Sequence, residues 1–249
     1  MVIDGGLSSK ENLSYYETEA KNLRLFGSLR EISLAENILR NLPRKFINVL
    51  DIGCGEGYLL HQIHKRYPSA SKYGMDITNG RTITTRKNVP SAIVLRADAI
   101  RLPFLDDSFD VVICSEVIEH ILDYQSVINE IARVSRGRII ITVPNDQALT
   151  QIICPKCNTP HYLDGHINRF DESNIIKLFQ RKDVNSIKII RFHTIYSYNS
   201  VTLKVLGIMR LSLDRALVYL SRYISFLKPN FLMVVANKVP RIKAGCDHR

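Results

Sequence analysis

The stretch VLDIGCGEGYLL, Val49–Leu60, decides the fold of this 249-residue chain. It passes from a hydrophobic run ending near Asp51, through alternate glycines from Gly53 to Gly57, into a helical pattern. Glycine lets the backbone turn sharply from a strand into a helix and approach a ligand closely. Asp76 follows at the end of the next predicted strand, where a carboxylate can accept hydrogen bonds from both hydroxyls of a ribose. The stretch therefore predicts a ligand-binding turn between a strand and a helix.

Apolar, strand-like runs alternate with helical patterns over most of the chain. The predicted strands are Ile47–Asp51, Lys72–Asp76, Ala92–Arg96, Asp110–Cys114, Arg138–Val143, Ile187–Tyr196 and Phe231–Lys238. The predicted helices are Leu29–Leu42, Tyr58–Arg66, Thr82–Lys87, Glu116–Ile121, Gln125–Val134 and Glu172–Gln180. Parallel strands need crossover connections, so this alternation predicts an α/β fold with a parallel sheet and helices on both of its faces.

The composition is that of a globular protein and does not predict a membrane-spanning or disulfide-rich one. Hydrophobic residues make up 45% of the chain and charged residues 23%, as in ordinary globular proteins. No apolar stretch is long enough to span a bilayer and the N-terminal sequence lacks a signal-peptide pattern, so we expect a cytoplasmic protein. The five cysteines are unevenly spaced and do not predict a disulfide framework. The net charge of +10 favours an anionic partner, although it is also typical of a surface that lysine and arginine merely keep soluble.

Four segments together resemble the class I S-adenosylmethionine-dependent methyltransferases. They are DIGCGEG, GMDIT, the run RADAIRLPFLDDSFDVVICSEVIEHI, and IITVPN. The resemblance is close from Val49 to Asn145, and the G-x-G-x-G form after an aspartate differs from the dinucleotide-binding G-x-G-x-x-G. It implies a Rossmann-like, doubly wound sheet of seven mostly parallel strands with an antiparallel last strand. It also implies S-adenosylmethionine as the cofactor.

The resemblance carries a set of cofactor-binding residues over to this chain. They are Asp51, Gly53 and Gly55 around the methionine part of the cofactor, Asp76 at the ribose, Ile77, Asp98 and Ala99 at the adenine, and Ser115 near the methyl group. Asp98 has a second interpretation as a cap or turn residue, because aspartate readily occupies such positions.

The segment CSEVIEHI, Cys114–Ile121, places Glu116, Glu119 and His120 at a spacing that shares one face of a helix. Oxygen and imidazole ligands suit Mg²⁺, Mn²⁺ or Fe²⁺, and His166 in GHINRF is a candidate fourth ligand. The pattern resembles two branches of the same class, the small-RNA 3′-terminal 2′-O-methyltransferases and the ubiquinone-pathway O-methyltransferases, which implies a divalent cation at the acceptor hydroxyls. The alternatives are a metal-free polar wall of the acceptor pocket or a purely structural helix start.

The segment ICPKCNTPHYLDGHINRF presents a second candidate metal site. Its ligands would be Cys154, Cys157, His161 and His166, because a C-x₂-C pair is a common half of a tetrahedral zinc site. Free or redox-coupled thiols in a mobile lid on the acceptor side are the alternative. His166 cannot serve both metal sites.

The predicted organisation is an N-terminal helical cap over residues 1–46, a methyltransferase domain over 47–240 and a disordered tail over 241–249. The domain contains an acceptor-side insert at 146–170 and a helical excursion at 200–228. One face of the excursion is apolar and the other basic, which favours packing on the sheet or on a second subunit, with contact to an anionic membrane surface as the alternative.

Sequence therefore predicts transfer of a methyl group from S-adenosylmethionine to a hydroxyl of a small-molecule or lipid acceptor, by a monomer or a homodimer. The positive charge keeps RNA as an alternative acceptor. A non-catalytic cofactor-binding or scaffold protein is the alternative from another class, because a fold does not guarantee a function.

Overall fold

The structure is a computed structural model that describes residues 28–153, 158, 160–180, 184–192 and 229–239. The cysteines Cys154 and Cys157, the predicted excursion at 200–228 and the predicted tail at 241–249 lie outside these residues. The predicted cap is described only from residue 28 onward.

Helices and strands alternate along the chain as the sequence predicts. The helices are α1 (Leu29–Asn41), α2 (Tyr58–Arg66), α3 (Asn79–Asn88), α4 (Tyr124–Val134) and α5 (Glu172–Lys177), with short 3₁₀ turns at Ile118–His120 and Leu163–Gly165. The strands are β1 (Asn48–Ile52), β2 (Ser71–Asp76), β3 (Ala92–Arg96), β4 (Phe109–Ser115), β5 (Ser135–Pro144), β6 (Gln151–Ile153), β7 (Pro160–Tyr162), β8 (Val184–Phe192) and β9 (Phe231–Lys238).

Seven of these strands form one sheet in the order β3-β2-β1-β4-β5-β9-β8. The first five run parallel to one another, whereas β9 runs antiparallel to both β5 and β8. This is the predicted doubly wound sheet with an antiparallel last strand. Because the parallel strands all end at the same edge, the loops after β1, β2, β3 and β4 converge there.

Alternating side chains of the central strands form two cores, one on each face of the sheet. In β4, Val111 and Ile113 pack with α1 and α2, whereas Val112 and Cys114 pack with α4. Successive residues of a strand point to opposite faces, so a strand covered on both sides must be apolar throughout. This explains why β4 appears in the sequence as an unbroken hydrophobic run.

Several predicted boundaries differ from the structure. The predicted helix Glu116–Ile121 is wrong: a single 3₁₀ turn covers only Ile118–His120. The strand predicted at Ile187–Tyr196 begins earlier, at Val184. The hairpin of β6 and β7 was not predicted, because strands of three residues are too short to give an alternating pattern. No helix among the described residues is long and apolar enough to cross a membrane.

Candidate functional site

The glycine turn after β1 leaves one side of the backbone open. Gly53 and Gly55 have φ angles of +71° and +54°, which side chains other than glycine rarely adopt. The amide of Gly53 donates a hydrogen bond of 2.8 Å to the carbonyl of Met75 and so ties the turn to β2. A Cβ atom at Gly55 would meet no other atom within 4 Å. The turn is therefore rigidly held on one side and accessible on the other.

Two polar side chains of α3 donate hydrogen bonds to backbone carbonyls of the same turn. Thr85 Oγ1 donates a hydrogen bond of 2.6 Å to the carbonyl of Gly55, and Asn88 Nδ2 donates one of 2.8 Å to the carbonyl of Glu56. No sequence pattern indicates this role, because a polar residue on a polar helix looks the same whether or not it donates a hydrogen bond to a distant loop. Thr85 and Asn88 fix the backbone that a ligand would approach.

Asp76 is buried and already oriented at the end of β2. Its Oδ1 accepts hydrogen bonds of 2.9 Å from the amide and from the hydroxyl of Thr78, and its Oδ2 accepts one of 3.2 Å from the amide of Gly55. Each carboxylate oxygen has two lone pairs, so the group retains acceptor capacity for a ligand. Asp51 is also buried, and burial, with the nearby negative charge of Asp76, raises the pKa of Asp51 to about 8.

The residues predicted for the adenine lie around the ends of β2 and β3. Ile77 is an exposed apolar side chain directly after Asp76, and Ala99 is buried. Asp98 is exposed, and its Oδ1 accepts a hydrogen bond of 3.1 Å from the amide of Ile100. The geometry of Asp98 is that of a turn residue, with its second carboxylate oxygen still available.

Glu116, directly after β4, does not belong to the group of potential ligand atoms that lie within 4.8 Å of one another among the described residues. Ser115 Oγ lies 2.7 Å from Thr142 Oγ1 of β5. Glu116 then adopts a left-handed conformation with φ of +60° and forms an ion pair with Arg30 of α1. The predicted helix would have placed Glu116 with Glu119 and His120, but this left-handed residue interrupts it.

Glu119, His120 and His166 do come together. One potential ligand atom of each lies within 4.8 Å of the others. The amides of Ile167 and Asn168 donate hydrogen bonds of 2.9 and 3.0 Å to the carbonyl of Glu119. These bonds attach the segment after His166 to the 3₁₀ turn and so bring together residues that are far apart in the chain.

Asn168 strengthens this attachment through its side chain. Its Nδ2 donates hydrogen bonds to the carbonyl of Ile118 at 3.0 Å and to that of Ile121 at 2.8 Å. Asn168 lies in the segment GHINRF, but no sequence pattern marks it, because an asparagine there does not resemble a metal ligand.

The hydrogen bonds of the two imidazoles determine which ring nitrogens face the cluster. His120 Nδ1 lies 3.1 Å from the carbonyl of Gly165, and His166 Nδ1 lies 2.9 Å from Oε1 of Gln147. The backbone carbonyl of Gly165 only accepts, so Nδ1 of His120 carries the proton and its Nε2 keeps its lone pair; His166 has the same tautomer when the oxygen of the Gln147 amide faces its Nδ1. The rings pack edge to face, with centroids 4.7 Å apart.

Burial controls the charges of this cluster. Glu119 is 1% exposed, and neither of its carboxylate oxygens has a hydrogen-bond partner among the described residues. Burial raises the pKa of Glu119 to about 8. Burial, with a contribution from His166, lowers the pKa of His120 to about 3, and burial also lowers the pKa of His166. Two neutral imidazoles and an unpartnered carboxyl group therefore face one another.

Only part of the predicted zinc site can be located. His161 lies in β7, opposite Ile152 of β6, and is partly buried. His166 is buried against His120. Because Cys154 and Cys157 are outside the described residues, a zinc ion at this insert stays a prediction.

The chain is similar in sequence and in fold to known proteins. Residues 50–141 match the model of a methyltransferase domain family. A probable S-adenosylmethionine-dependent methyltransferase of Mycobacterium tuberculosis is 33% identical over 113 residues, which are 45% of this chain and 40% of that protein. A malonyl-[acyl-carrier protein] O-methyltransferase of Hahella chejuensis is 30% identical over 130 residues, 49% of this chain and 45% of that protein. The chain therefore spans less than half the length of these relatives.

The likeness of folds extends further along the chain. A solved structure of a SAM-dependent methyltransferase from Archaeoglobus fulgidus superposes with a TM-score of 0.58 at 20% identity, over 90% of this chain and 99% of that one. The match at residues 50–141 and the seven-stranded sheet are the features that this chain shares with S-adenosylmethionine-dependent methyltransferases.

Proposed function

We propose that this chain transfers a methyl group from S-adenosylmethionine to a hydroxyl oxygen of a small-molecule or lipid acceptor. The observation that carries the proposal is the cluster of the buried Glu119 and His166 with the half-buried His120 at the same sheet edge as the glycine turn. S-adenosylmethionine supplies an electrophilic methyl on a positively charged sulfur, and transfer needs mainly an aligned oxygen nucleophile and an acceptor for its proton.

The residues of the cofactor side fit a cationic nucleoside. Asp51 and Asp76 are both buried, and two adjacent carboxyl groups are stabilised by a positive charge beside them. Asp76 is proposed to bind the ribose, Asp51, Gly53 and Gly55 to surround the methionine part, and Ser115 to lie near the methyl group. The open side of Gly55 supports close approach by the ligand.

The adenine end of the cofactor is proposed to lie against Ile77, with Asp98 and Ala99 at its amino edge. The exposed apolar side chain of Ile77 supports this assignment, because a flat base can cover it. The remaining carboxylate oxygen of Asp98 can accept a hydrogen bond from an exocyclic amine.

The acceptor side fits a divalent cation held by Glu119, His120 and His166. Imidazoles that bind metals commonly donate their other N–H to a carbonyl, which is the geometry of His120 and His166. The unpartnered carboxyl of Glu119 is the third donor, and one carboxylate with two imidazoles suits Zn²⁺, Fe²⁺ or Mn²⁺. A cation there would lower the pKa of an acceptor hydroxyl and orient it toward the methyl group.

The test is a methyl-transfer screen with labelled S-adenosylmethionine against separated metabolite, lipid and RNA fractions of cells. The proposal expects label in a small-molecule or lipid fraction, in a bond that resists mild base because it is an ether. Base-labile label would indicate a carboxyl acceptor instead, as in the named activity of the Hahella relative. Label in no fraction would contradict the proposal.

RNA is the second candidate acceptor, and the net charge of +10 favours it. Binding to RNA releases counterions and falls steeply with added salt. A transfer rate that declines in this way and moves label into RNA would replace the small-molecule acceptor. A rate insensitive to salt would support the first candidate.

Chelation separates the cation from the rest of the proposal. Removal of bound metal is expected to abolish transfer while leaving the affinity for S-adenosylmethionine unchanged, with activity restored by Mn²⁺ or Zn²⁺. Full transfer by the metal-depleted protein would contradict the cation and leave His120 and Glu119 as a metal-free polar wall.

A further inference from the structure

A groove of about 550 Å³ lies at the edge of the sheet opposite the glycine turn. Its lining comes from residues next to the starts of β1, β4 and β5 and the end of the antiparallel β9, among them Ile47, Asp110 and Asn237. Ser115, proposed to lie near the methyl group, is five residues beyond Asp110 on β4, a separation of about 17 Å along an extended strand. The groove is therefore distinct from both the cofactor side and the acceptor side.

A β-bulge between two parallel strands lies at this groove. The register of β4 and β5 shifts here, so that Asp110 of β4 lies opposite two residues of β5, Arg136 and Gly137. A Cβ atom at Gly137 would lie 2.5 Å from the carbonyl oxygen of Asp110, so the strands approach this closely only with glycine there. Bulges are rare between parallel strands and re-aim the side chains beside them. Arg136 and Arg138, on either side of Gly137, both line the groove.

Hydrogen bonds hold both guanidinium groups and leave donors available. Arg136 Nε donates a bond of 2.6 Å to Asp110 Oδ1. Arg138 Nε donates one of 3.0 Å to Asn237 Oδ1, and its Nη1 donates one of 2.7 Å to the carbonyl of Asn41. The Nη atoms of Arg136 and the Nη2 atom of Arg138 form no hydrogen bond with another of the described residues. Two oriented guanidinium groups thus keep N–H donors for a ligand.

The groove has an excess of positive charge. Three basic side chains of its lining are exposed or half-buried, and they are Lys45, Arg136 and Arg138. Among the described residues, Asp110 is the one carboxylate of the lining, so two positive charges remain unbalanced. Lys238 adds none, because its side chain is buried and pairs with Asp107. A phosphate monoester carries about −1.5 to −2 charges at pH 7, whereas a carboxylate or a phosphodiester carries a single one. The charge therefore fits a phosphate monoester best.

Apolar side chains form the neighbouring wall of the groove. The ring of Phe46 packs against that of Tyr67, with centroids 4.7 Å apart, and is thereby fixed. Ile47 is 71% exposed, a large apolar surface directly before β1. Sites for small organic ligands have volumes of roughly 300–1,000 Å³ and combine apolar walls with a few polar groups. The groove has both properties.

We propose that this groove binds a small organic phosphate monoester, with its phosphate group at Arg136 and Arg138 and its organic part against Phe46 and Ile47. The guanidinium groups recognise the phosphate oxygens through charge-assisted hydrogen bonds, and Lys45 adds an exposed positive charge. The site lies apart from the proposed sites of the methyl donor and the acceptor, so it does not depend on the proposed methyl transfer.

The experiment titrates four phenyl compounds into the full chain at neutral pH and constant ionic strength, followed by ligand-observed NMR. They are phenyl phosphate, its singly charged diester methyl phenyl phosphate, benzoate and uncharged phenol. The groove variants are Arg138→Gln and Lys45→Gln, and the second changes an exposed side chain, so the fold persists even if Arg138→Gln destabilises it. Arg101→Gln is the control, because Arg101 is exposed, lies outside the groove and changes the net charge equally.

The wild type should bind phenyl phosphate about tenfold more tightly than methyl phenyl phosphate or benzoate, and phenol most weakly. Arg138→Gln should weaken binding of phenyl phosphate about tenfold. Lys45→Gln should weaken it about threefold, because solvent screens an exposed charge, and Arg101→Gln should leave it unchanged. Saturation with S-adenosylhomocysteine should not alter the affinity for phenyl phosphate, because the two ligands occupy opposite edges.

The absence of saturable binding of phenyl phosphate, or equal affinity for phenyl phosphate and its diester, would overturn the proposal. Equal weakening by Arg101→Gln and by the groove variants would overturn it too, since binding would then follow the net charge alone. Displacement of phenyl phosphate by S-adenosylhomocysteine would assign the probe to the opposite edge. Displacement by a lower concentration of a short single-stranded RNA would assign the groove to nucleic acid and exclude the small ligand.

Discussion

The cofactor side and the acceptor side of the sheet edge are assembled differently. On the cofactor side, the glycine turn directly follows β1 and Asp76 ends β2, and amides of the turn donate hydrogen bonds of 2.8 Å to the carbonyl of Met75 and 3.2 Å to Asp76. On the acceptor side, Glu119 and His120 meet His166 because residues 165–168 form several hydrogen bonds with the 3₁₀ turn and with Ile121 after it. The cofactor side is built from residues that are close together in the sequence. The acceptor side depends on long-range contacts, which substitutions elsewhere in the chain can rearrange.

This difference explains why one family can keep its cofactor and change its acceptor. Residues close in sequence form their site whenever the strand–turn–helix unit folds. A site assembled from separate loops can change one loop at a time, and loops tolerate substitution well. Four predictions test this division, in order of decreasing expected effect.

Asp76→Ala should produce the largest effect, confined to the cofactor side. Loss of a carboxylate that accepts two ribose hydroxyls should cost about 3 kcal/mol, or roughly 100-fold in the affinity for S-adenosylmethionine. Calorimetric titration measures it. Asp98→Ala is the control, since that exposed residue should cost far less, and equal losses in the two variants would refute the assignment of Asp76.

Gly53→Ala should lower stability more than Gly55→Ala does. A Cβ at Gly53 would lie 2.3 Å from Val117 Cγ2, so strain and overpacking together should cost about 2–4 kcal/mol of unfolding free energy. At Gly55 only the backbone strain applies, and the new methyl should instead block the cofactor. Urea unfolding and ligand titration separate the two effects, and Val117→Ala should partly rescue Gly53→Ala.

Asn168→Ala should affect the acceptor side, and Asn88→Ala should affect the cofactor side. Asn168 donates to two carbonyls of the acceptor side, and its loss should lower stability by about 1–3 kcal/mol and weaken cation binding. Asn88 donates to the glycine turn, so its loss should weaken binding of S-adenosylmethionine instead. Cobalt(II) absorption measures cation binding on the acceptor side, and calorimetry measures binding of S-adenosylmethionine. Weaker cofactor binding in Asn168→Ala, or weaker cation binding in Asn88→Ala, would show that the two sides are not independent.

Asp51→Asn should change how stability depends on pH in the ligand-free protein. Burial raises the pKa of Asp51 from 3.8 to about 8. Between about pH 4 and pH 8, the folded protein therefore holds a proton on Asp51 that the unfolded chain has already released. The free energy of unfolding should therefore fall as pH rises through this range, by at most about 1.4 kcal/mol per pH unit from this group. The variant should lose this contribution, and identical pH profiles would contradict the raised pKa.

The sequence predicted the cofactor side better than the acceptor side for a physical reason. The bounds of α2 and the pairing of β1 with β2 follow from local patterns, and they place Gly53 beside Asp76. The left-handed backbone of Glu116 carries no such signal, because a glutamate rarely adopts it. The ion pair of Glu116 with Arg30 of α1 could not be predicted either, because residues so far apart in the chain meet only through tertiary packing.

The most direct test of the account compares two properties of one variant, Glu119→Gln, with the wild type. The account predicts that the variant binds S-adenosylmethionine as tightly as the wild type but no longer transfers labelled methyl to the acceptor fraction found with the wild type. Because glutamine matches glutamate in shape, the fold should persist. Undiminished transfer by Glu119→Gln would contradict the central claim that this cluster acts on the acceptor.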